Sequence, residues 1–206
     1  MDRFENIPPE FEAIRDDDES IYWIGQPTLI PFLMTGVPFL IFGIIWGIID
    51  LQFMQFGFSE MGGFFGLFML LHLFPFYGSI LNMVRLLLVY NNTRYAYTNK
   101  RLMLRTGFFG IDFKTIDYDK IQNIEVNVNP LERFLHVGTI KIFSGEIAKT
   151  KNGHHSVYTK FIAIQEPYEV FRQIKRVSVD IKTDWNFPNQ MRPQENPGYR
   201  TTYRNK

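Results

Sequence analysis

Between Leu29 and Ile49 the chain reads LIPFLMTGVPFLIFGIIWGII, and between Met61 and Val84 it reads MGGFFGLFMLLHLFPFYGSILNMV. Neither stretch contains Asp, Glu, Lys or Arg. Each holds roughly 20 residues, enough at about 1.5 Å per residue to cross a hydrocarbon core about 30 Å thick. In lipid a segment must satisfy its own backbone polar groups, and a helix does so. The expectation is a two-helix transmembrane hairpin over residues 29–90, with helices at 29–49 and 61–84. The first run starts behind an acidic stretch and is followed by a second, so it reads as an anchor and not as a cleavable signal.

Working outward, residues 50–60, DLQFMQFGFSE, form the expected connection and carry no Lys or Arg. Basic residues gather on the other flanks, most densely at Arg85, Arg94, Lys100, Arg101 and Arg105. The positive-inside rule then places both termini in the cytoplasm and residues 50–60 outside, which makes this a multi-pass protein of the inner membrane. Tyr22 and Trp23 before the first helix and Trp46 near its end suit the two interfaces. Gly36, Gly43, Gly47, Gly62, Gly63 and Gly66 allow close helix contact, and Pro31, Pro38 and Pro75 predict kinks.

The net charge of +1 conceals an asymmetry. Ahead of Leu29, Arg3 and Arg15 face Asp2, Glu5, Glu10, Glu12, Asp16, Asp17, Asp18 and Glu19. Residues 1–28 read as an acidic cytoplasmic arm, in the plain reading a solvated leash and in the sharper one a segment lying against the basic domain or gating it. The chain has no Cys, which removes disulfides, Cys-based zinc sites, Fe–S clusters and thiol catalysis.

Past Tyr90, Asn91-Asn92 ends the apolar pattern and short strands begin. Residues 93–98 and 101–106 read as strands joined by Asn99-Lys100, and a third follows at about 111–118. Ile124, Val126 and Val128 alternate with polar residues, as in a half-buried strand. Pro130 opens a short helical piece, LERFLHV; TIKIF and residues 157–164 supply further strands. Glu166-Pro167 starts a last helix, with Val170, Ile174, Val177 and Ile181 on one face and Lys175, Arg176 and Lys182 late in it. Residues 183–206 are rich in Asn, Pro, Arg and Gln and read as an extended or disordered tail.

The words IYWIGQP (21–27), YAYTNKRLMLRTG (95–107), DKIQNIEVNVNPLERFLHVGTIKIFSG (119–145) and EPYEVFRQI (166–174) follow one another in an order that resembles the bacterial pleckstrin-homology (PH)-like membrane proteins. His136 stands where that family often has Gly. The resemblance implies an α+β membrane protein: a transmembrane hairpin, then a PH-like barrel or sandwich of about seven strands over residues 91–182, closed by a C-terminal capping helix. It implies no reaction, because fold does not give function.

The candidate chemistry is sparse. His72 is an ionisable group at membrane depth and so a functional candidate. Asp50 and Glu60 are assigned to the loop, so no second ligand is expected near His72. A His hydrogen-bonded to a neighbouring helix is the plain reading, and a subunit or partner contact the functional one. His154-His155 reads as a solvated loop. No P-loop, dinucleotide-binding glycine motif, HExxH or nucleophile elbow is present, so no enzyme and no cofactor are expected. Lys100, Arg101 and Arg105 form a basic cluster that would face anionic lipid, each worth about 1 kcal/mol near the surface. Trp185, Phe187, Tyr199 and Tyr203, spaced among prolines, suit folding onto a partner.

The expected function is a non-enzymatic, membrane-anchored scaffold or accessory subunit of a membrane protein complex, in contact with membrane lipids and with other membrane proteins or a second copy, and not with nucleic acid. An anionic-lipid-sensing or envelope-stress module is the alternative. A cofactor-carrying enzyme built on His72 is a third reading.

Overall fold

Phe11 is the first anchor of the fold. It lies in a short helix, α1 (Pro9–Ile14), and is fully buried. A computed structural model of the chain describes residues 7–151 and 153–186. After α1 come β1 (Ile21–Gly25), α2 (Leu29–Met34), α3 (Val37–His72) and α4 (Phe74–Asn92). Then follow β2 (Arg94–Thr98), β3 (Arg101–Thr106), β4 (Asp112–Asp117), β5 (Asn123–Asn127), α5 (Pro130–Phe134), β6 (Val137–Thr150), β7 (Gly153–Gln165) and α6 (Pro167–Asn186).

The helices correct the expected boundaries. The first apolar run is broken at Thr35-Gly36, just ahead of Pro38, and the second at Leu73, just ahead of Pro75. Both breaks fit a residue that lacks an N–H and clashes with the carbonyl four residues earlier. Helix α3 stays helical over 50–60, where a loop is expected, and α4 continues past Val84 to Asn92. In a straight helix residues 50 and 72 would stand about 33 Å apart. Their side chains meet at 3.0 Å, so the axis of α3 turns back between them.

The result is an antiparallel helical hairpin. A Cβ at Gly36 would strike Leu86, one at Gly43 would strike Ser79, and one at Gly47 would strike Phe76. Each step of seven along the first limb, from 36 to 43 to 50, is matched by a step of seven backwards along the second, from 86 to 79 to 72. The limbs therefore approach along a seam of small residues, as the glycine spacing predicts.

The strands form two antiparallel sheets, β1-β2-β3-β4 and β5-β6-β7. Strand β1 precedes the hairpin and pairs with β2 directly after it, with Gly25 opposite Tyr95 and Trp23 opposite Tyr97. The region ahead of the hairpin is thus built into the strand domain, and the helices are an insertion between two neighbouring strands. The sheets face each other over a core that includes Tyr95, Leu102, Ile140, Ile142, Phe161 and Ile164. Helix α6 closes it with Val170 and Ile174, and Val177 and Ile181 pack beside them, the face that helical spacing predicts. Lys182 Nζ donates to the Ile121 carbonyl, and α6 continues to Asn186, beyond the expected end at 182.

Strands β6 and β7 are longer than their alternation suggests. Beyond Phe143 they continue as an exposed two-stranded arm that pairs Ile147 with Ser156 and Thr150 with Gly153. His154 and His155 lie in β7 on this arm, exposed, and not in a loop.

Asn129 caps α5 with a capping box in which Glu132 reaches back to the Asn129 N–H. Two residues past its end His136 adopts φ +54°, the left-handed conformation that favours Gly. Replacing His136 with Gly is therefore expected to raise domain stability by up to about 1 kcal/mol. Urea unfolding of the two proteins measures it, and a Gly variant less stable than the native chain would show that the imidazole contributes more than the strain costs.

Candidate functional site

From residue 7 onward the acidic arm is no leash. Phe11 packs on Ala96 and Met103, all three fully buried, and meets the edge of Phe113 at 5.4 Å. That contact brings the carboxylates of Glu10, Asp16, Asp18 and Glu19 onto the β2–β3 hairpin. Lys100 Nζ donates to Asp16 at 2.9 Å and Asp18 at 2.5 Å. Arg101 donates from Nη2 to Asp16 at 2.8 Å and to Glu19 at 2.9 Å, and from Nε to Glu19 at 3.1 Å. Glu19 is buried and also accepts from the Thr98 hydroxyl at 2.6 Å. Arg105 donates to Glu10 at 3.1 Å and, from its other terminal nitrogen, to the Asn92 carbonyl at 2.9 Å.

All three cations of the expected lipid-facing cluster are thus engaged by carboxylates of the same chain. Lys100 and Arg101 also stand at the end of β2 remote from the helices, about 15 Å along the strand. Only Arg105 stands at the near end.

The hydrogen bond from Lys100, with the Arg101 charge beside it, holds the Asp16 carboxyl below its ordinary value of 3.8, and the Lys100 bond does the same for Asp18. Asp18 and Asp16 in turn raise Lys100 above 10.5. Burial works against the Arg101 charge, but Glu19 and Asp16 more than offset it. The depressed carboxylates contribute stability that is present above their unfolded values and lost as pH falls through the folded ones. The raised Lys100 contributes below its unfolded value and stops above its folded one. Amide hydrogen exchange over residues 16–19 is therefore expected to be steadily slow from about pH 5 to about pH 10 after correction for intrinsic rates. Protection should fall below about pH 4; equal protection at pH 3 would mean that the pairs do not hold the arm.

The second constellation lies in the hairpin. Asp50 is a buried member of α3, not of a loop, and its two carboxylate oxygens lie 3.0 and 3.1 Å from His72 Nδ1 on the opposite limb. Trp46 donates from its indole N–H to the His72 carbonyl at 3.1 Å. The rings of Trp46 and Phe68 flank the imidazole at 5.1 and 5.5 Å. Trp46 therefore packs against the opposite limb at the level of this pair. The His72 side chain keeps 41% of its surface exposed on the outside of the hairpin. Sequence reading finds His72 but misses its partner, because Asp50 reads as a loop residue; the apolar residues on both sides of it were the available signal.

A third feature is a cleft of about 680 Å³ where the hairpin meets the domain, lined in part by Trp23, Gln26, Thr28, Tyr90, Gln165 and Glu166. Glu166 is its single carboxylate, so it offers no acid–base pair. Among the described residues no group of three His, Asp or Glu is placed to hold a metal ion. Trp185 falls in the last turn of α6, and Phe187, Tyr199 and Tyr203 lie outside the described residues.

Two antiparallel sheets closed by a C-terminal helix define a PH-like fold. The chain belongs to the bacterial PH domain family, whose model matches residues 30–178. No curated protein matches it. Among solved structures it is similar to a DUF1696 family protein with a pleckstrin-homology domain from Shewanella loihica PV-4. The identity is 10%, 82% of this chain and 91% of that chain are covered, and the TM-score is 0.38.

Proposed function

We propose that the chain is a non-enzymatic scaffold or accessory subunit anchored in the inner membrane by its helical hairpin, with both termini and the PH-like domain in the cytoplasm. The observation that carries this reading is the outer surface of the hairpin. Ile41, Ile45, Ile48 and Leu51 on one limb and Phe64, Leu71, Phe74 and Leu81 on the other each expose more than half of their surface. The stretches Val37–Gln55 and Phe64–Asn92 are long and apolar enough to cross a membrane by length and composition. So much contiguous apolar surface is costly in water and costs nothing in lipid.

The Asp50–His72 pair fits a hairpin that must satisfy its polar groups internally, and the exposed edge of His72 gives the outer face a place to meet another membrane protein or a second copy. The lipid-sensing alternative has less support, since a headgroup phosphate would have to displace Asp16, Asp18, Glu19 or Glu10 from the basic cluster. Cysteine labelling tests the anchored reading. Gln55→Cys should react with an impermeant thiol reagent on intact cells, and Ser156→Cys only after lysis. The opposite pattern would invert the orientation, and recovery of the chain in the soluble fraction would remove the anchor.

A further inference from the structure

The turn between β3 and β4 reads Gly107-Phe108-Phe109-Gly110-Ile111, and its tip is the most exposed large apolar side chain in the described part of the domain. Phe109 is 94% exposed and Ile111 47%. A single exposed phenylalanine is ordinary, but here Phe108, Phe109 and Ile111 stand together at one turn, and such a contiguous apolar tip calls for a partner.

The turn is held in a fixed shape. Gly107 has φ +136°, and a Cβ there would come within 2.1 Å of the Gly110 carbonyl oxygen, so only glycine closes it. The Phe108 and Phe109 rings lie against each other, centroids 4.0 Å apart.

Its position names the partner. Strand β2 leaves the end of α4 and β3 returns toward it, so the turn lies at the helix end of the four-stranded sheet. Asn92, the last residue of α4, donates from its side-chain amide to the Gly107 carbonyl at 3.1 Å. Thr93 and Thr106 hydroxyls meet at 3.3 Å, and Arg105 donates to the Asn92 carbonyl. Three contacts thus bind the base of the turn to the foot of the second limb. Above it, Leu81, Val84, Leu87 and Leu88 carry exposed apolar surface down α4 toward the same place. Arg85 on the outside of α4 adds a cation suited to headgroups.

We propose that Phe109, backed by Phe108, is a second membrane anchor that seats in the headgroup–acyl boundary beside the foot of the hairpin and fixes the tilt of the domain on the bilayer. This rests on the membrane reading above. Aromatic rings are favoured at that depth, and a turn tethered to a membrane-spanning helix meets the surface without a separate association step.

The test uses the full chain in liposomes of phosphatidylcholine and phosphatidylglycerol, with Trp23, Trp46 and Trp185 replaced by Phe and Phe109→Trp as the single fluorophore. A companion protein keeps Trp46 alone. Trp at position 109 should emit at blue-shifted wavelength and lose most of its intensity to lipids brominated near the headgroup end of the acyl chain. Water-like emission without quenching overturns the proposal, and so does blue-shifted emission without quenching, which would place the ring against protein. Quenching of Trp46 separates the two readings. If Trp46 is quenched and position 109 is not, the hairpin is in the membrane and the turn is not. If Trp46 is also unquenched, the membrane reading falls and the proposal with it. A nitroxide on Phe109→Cys, more accessible to oxygen than to a water-soluble nickel chelate, should agree; the reverse accessibility overturns the proposal independently of the Trp variant.

Discussion

Replacing Arg101 with alanine is expected to destabilise the domain by about 3–5 kcal/mol, the usual result of orphaning one half of a buried ion pair. Glu19 has no exposed side-chain surface, and Arg101, itself 17% exposed, gives it two hydrogen bonds. Without the guanidinium the carboxylate keeps only the Thr98 hydroxyl and the Asp16 N–H. The stranded charge then favours release of the arm into water, which would expose Phe11. Adding Glu19→Gln to the alanine variant removes the stranded charge and should recover part of the loss. Arg101→Lys should fall in between, because an ammonium lacks the planar fork that spans both oxygens. Denaturant unfolding of the set decides it. A single alanine variant within about 1 kcal/mol of the native chain would place this pair with ordinary surface ion pairs.

Phe161→Ala is expected to cost a similar amount, about 3–5 kcal/mol, for a different reason. The ring is fully buried and stacks on Tyr95 at 4.7 Å with the planes 19° apart. Tyr95 is pinned in turn, since its hydroxyl accepts from the Ile162 N–H at 3.0 Å and donates to the Ile162 carbonyl at 3.3 Å. Neither sheet can move in to fill the void without breaking those bonds, so the cavity persists. Phe134→Ala, at a site 80% exposed, serves as the control and should change stability by no more than about 0.5 kcal/mol. Equal losses at the two positions would mean that position 161 does not carry the core.

Local periodicity made much of this fold readable. The two apolar runs, the Asn99-Lys100 turn, the strand at Ile124 and the α6 stripe of Val170 and Ile174 each depend on neighbours within a few residues. What was hidden depends on distant ones. Nothing near IYWIG says that it pairs with Tyr95, since that partner lies beyond three helices. Asp50 looks like a loop residue until the opposite limb places His72 beside it. The exposed end of the β6–β7 hairpin buries neither face, so its alternation is lost although the ladder continues. For the site, Lys100, Arg101 and Arg105 were visible as charge, but their engagement was not. Complementarity between an acidic arm and a basic hairpin was the one available hint, and Phe11, which docks the arm, is an ordinary apolar residue in the sequence.

The pairing of β1 with β2 bears on the order in which the molecule assembles. Gly25 and Tyr95 are neighbours across a ladder, yet the chain between them runs up one limb and down the other. Closing a flexible loop of that length would cost about 4 kcal/mol in chain entropy before a single ladder bond forms. Limbs that have already zipped along Gly36, Gly43 and Gly47 bring the two strand ends together beforehand and remove most of that cost. The pairing of β1 is therefore expected to wait for the helices, while β2 to β4 and β5 to β7, each strand adjacent in sequence to the next, need no such preparation. Synthesis reaches β2 only after both limbs have been made, so a ribosome-bound chain holds β1 unpaired, its edge open, for as long as the hairpin takes to form.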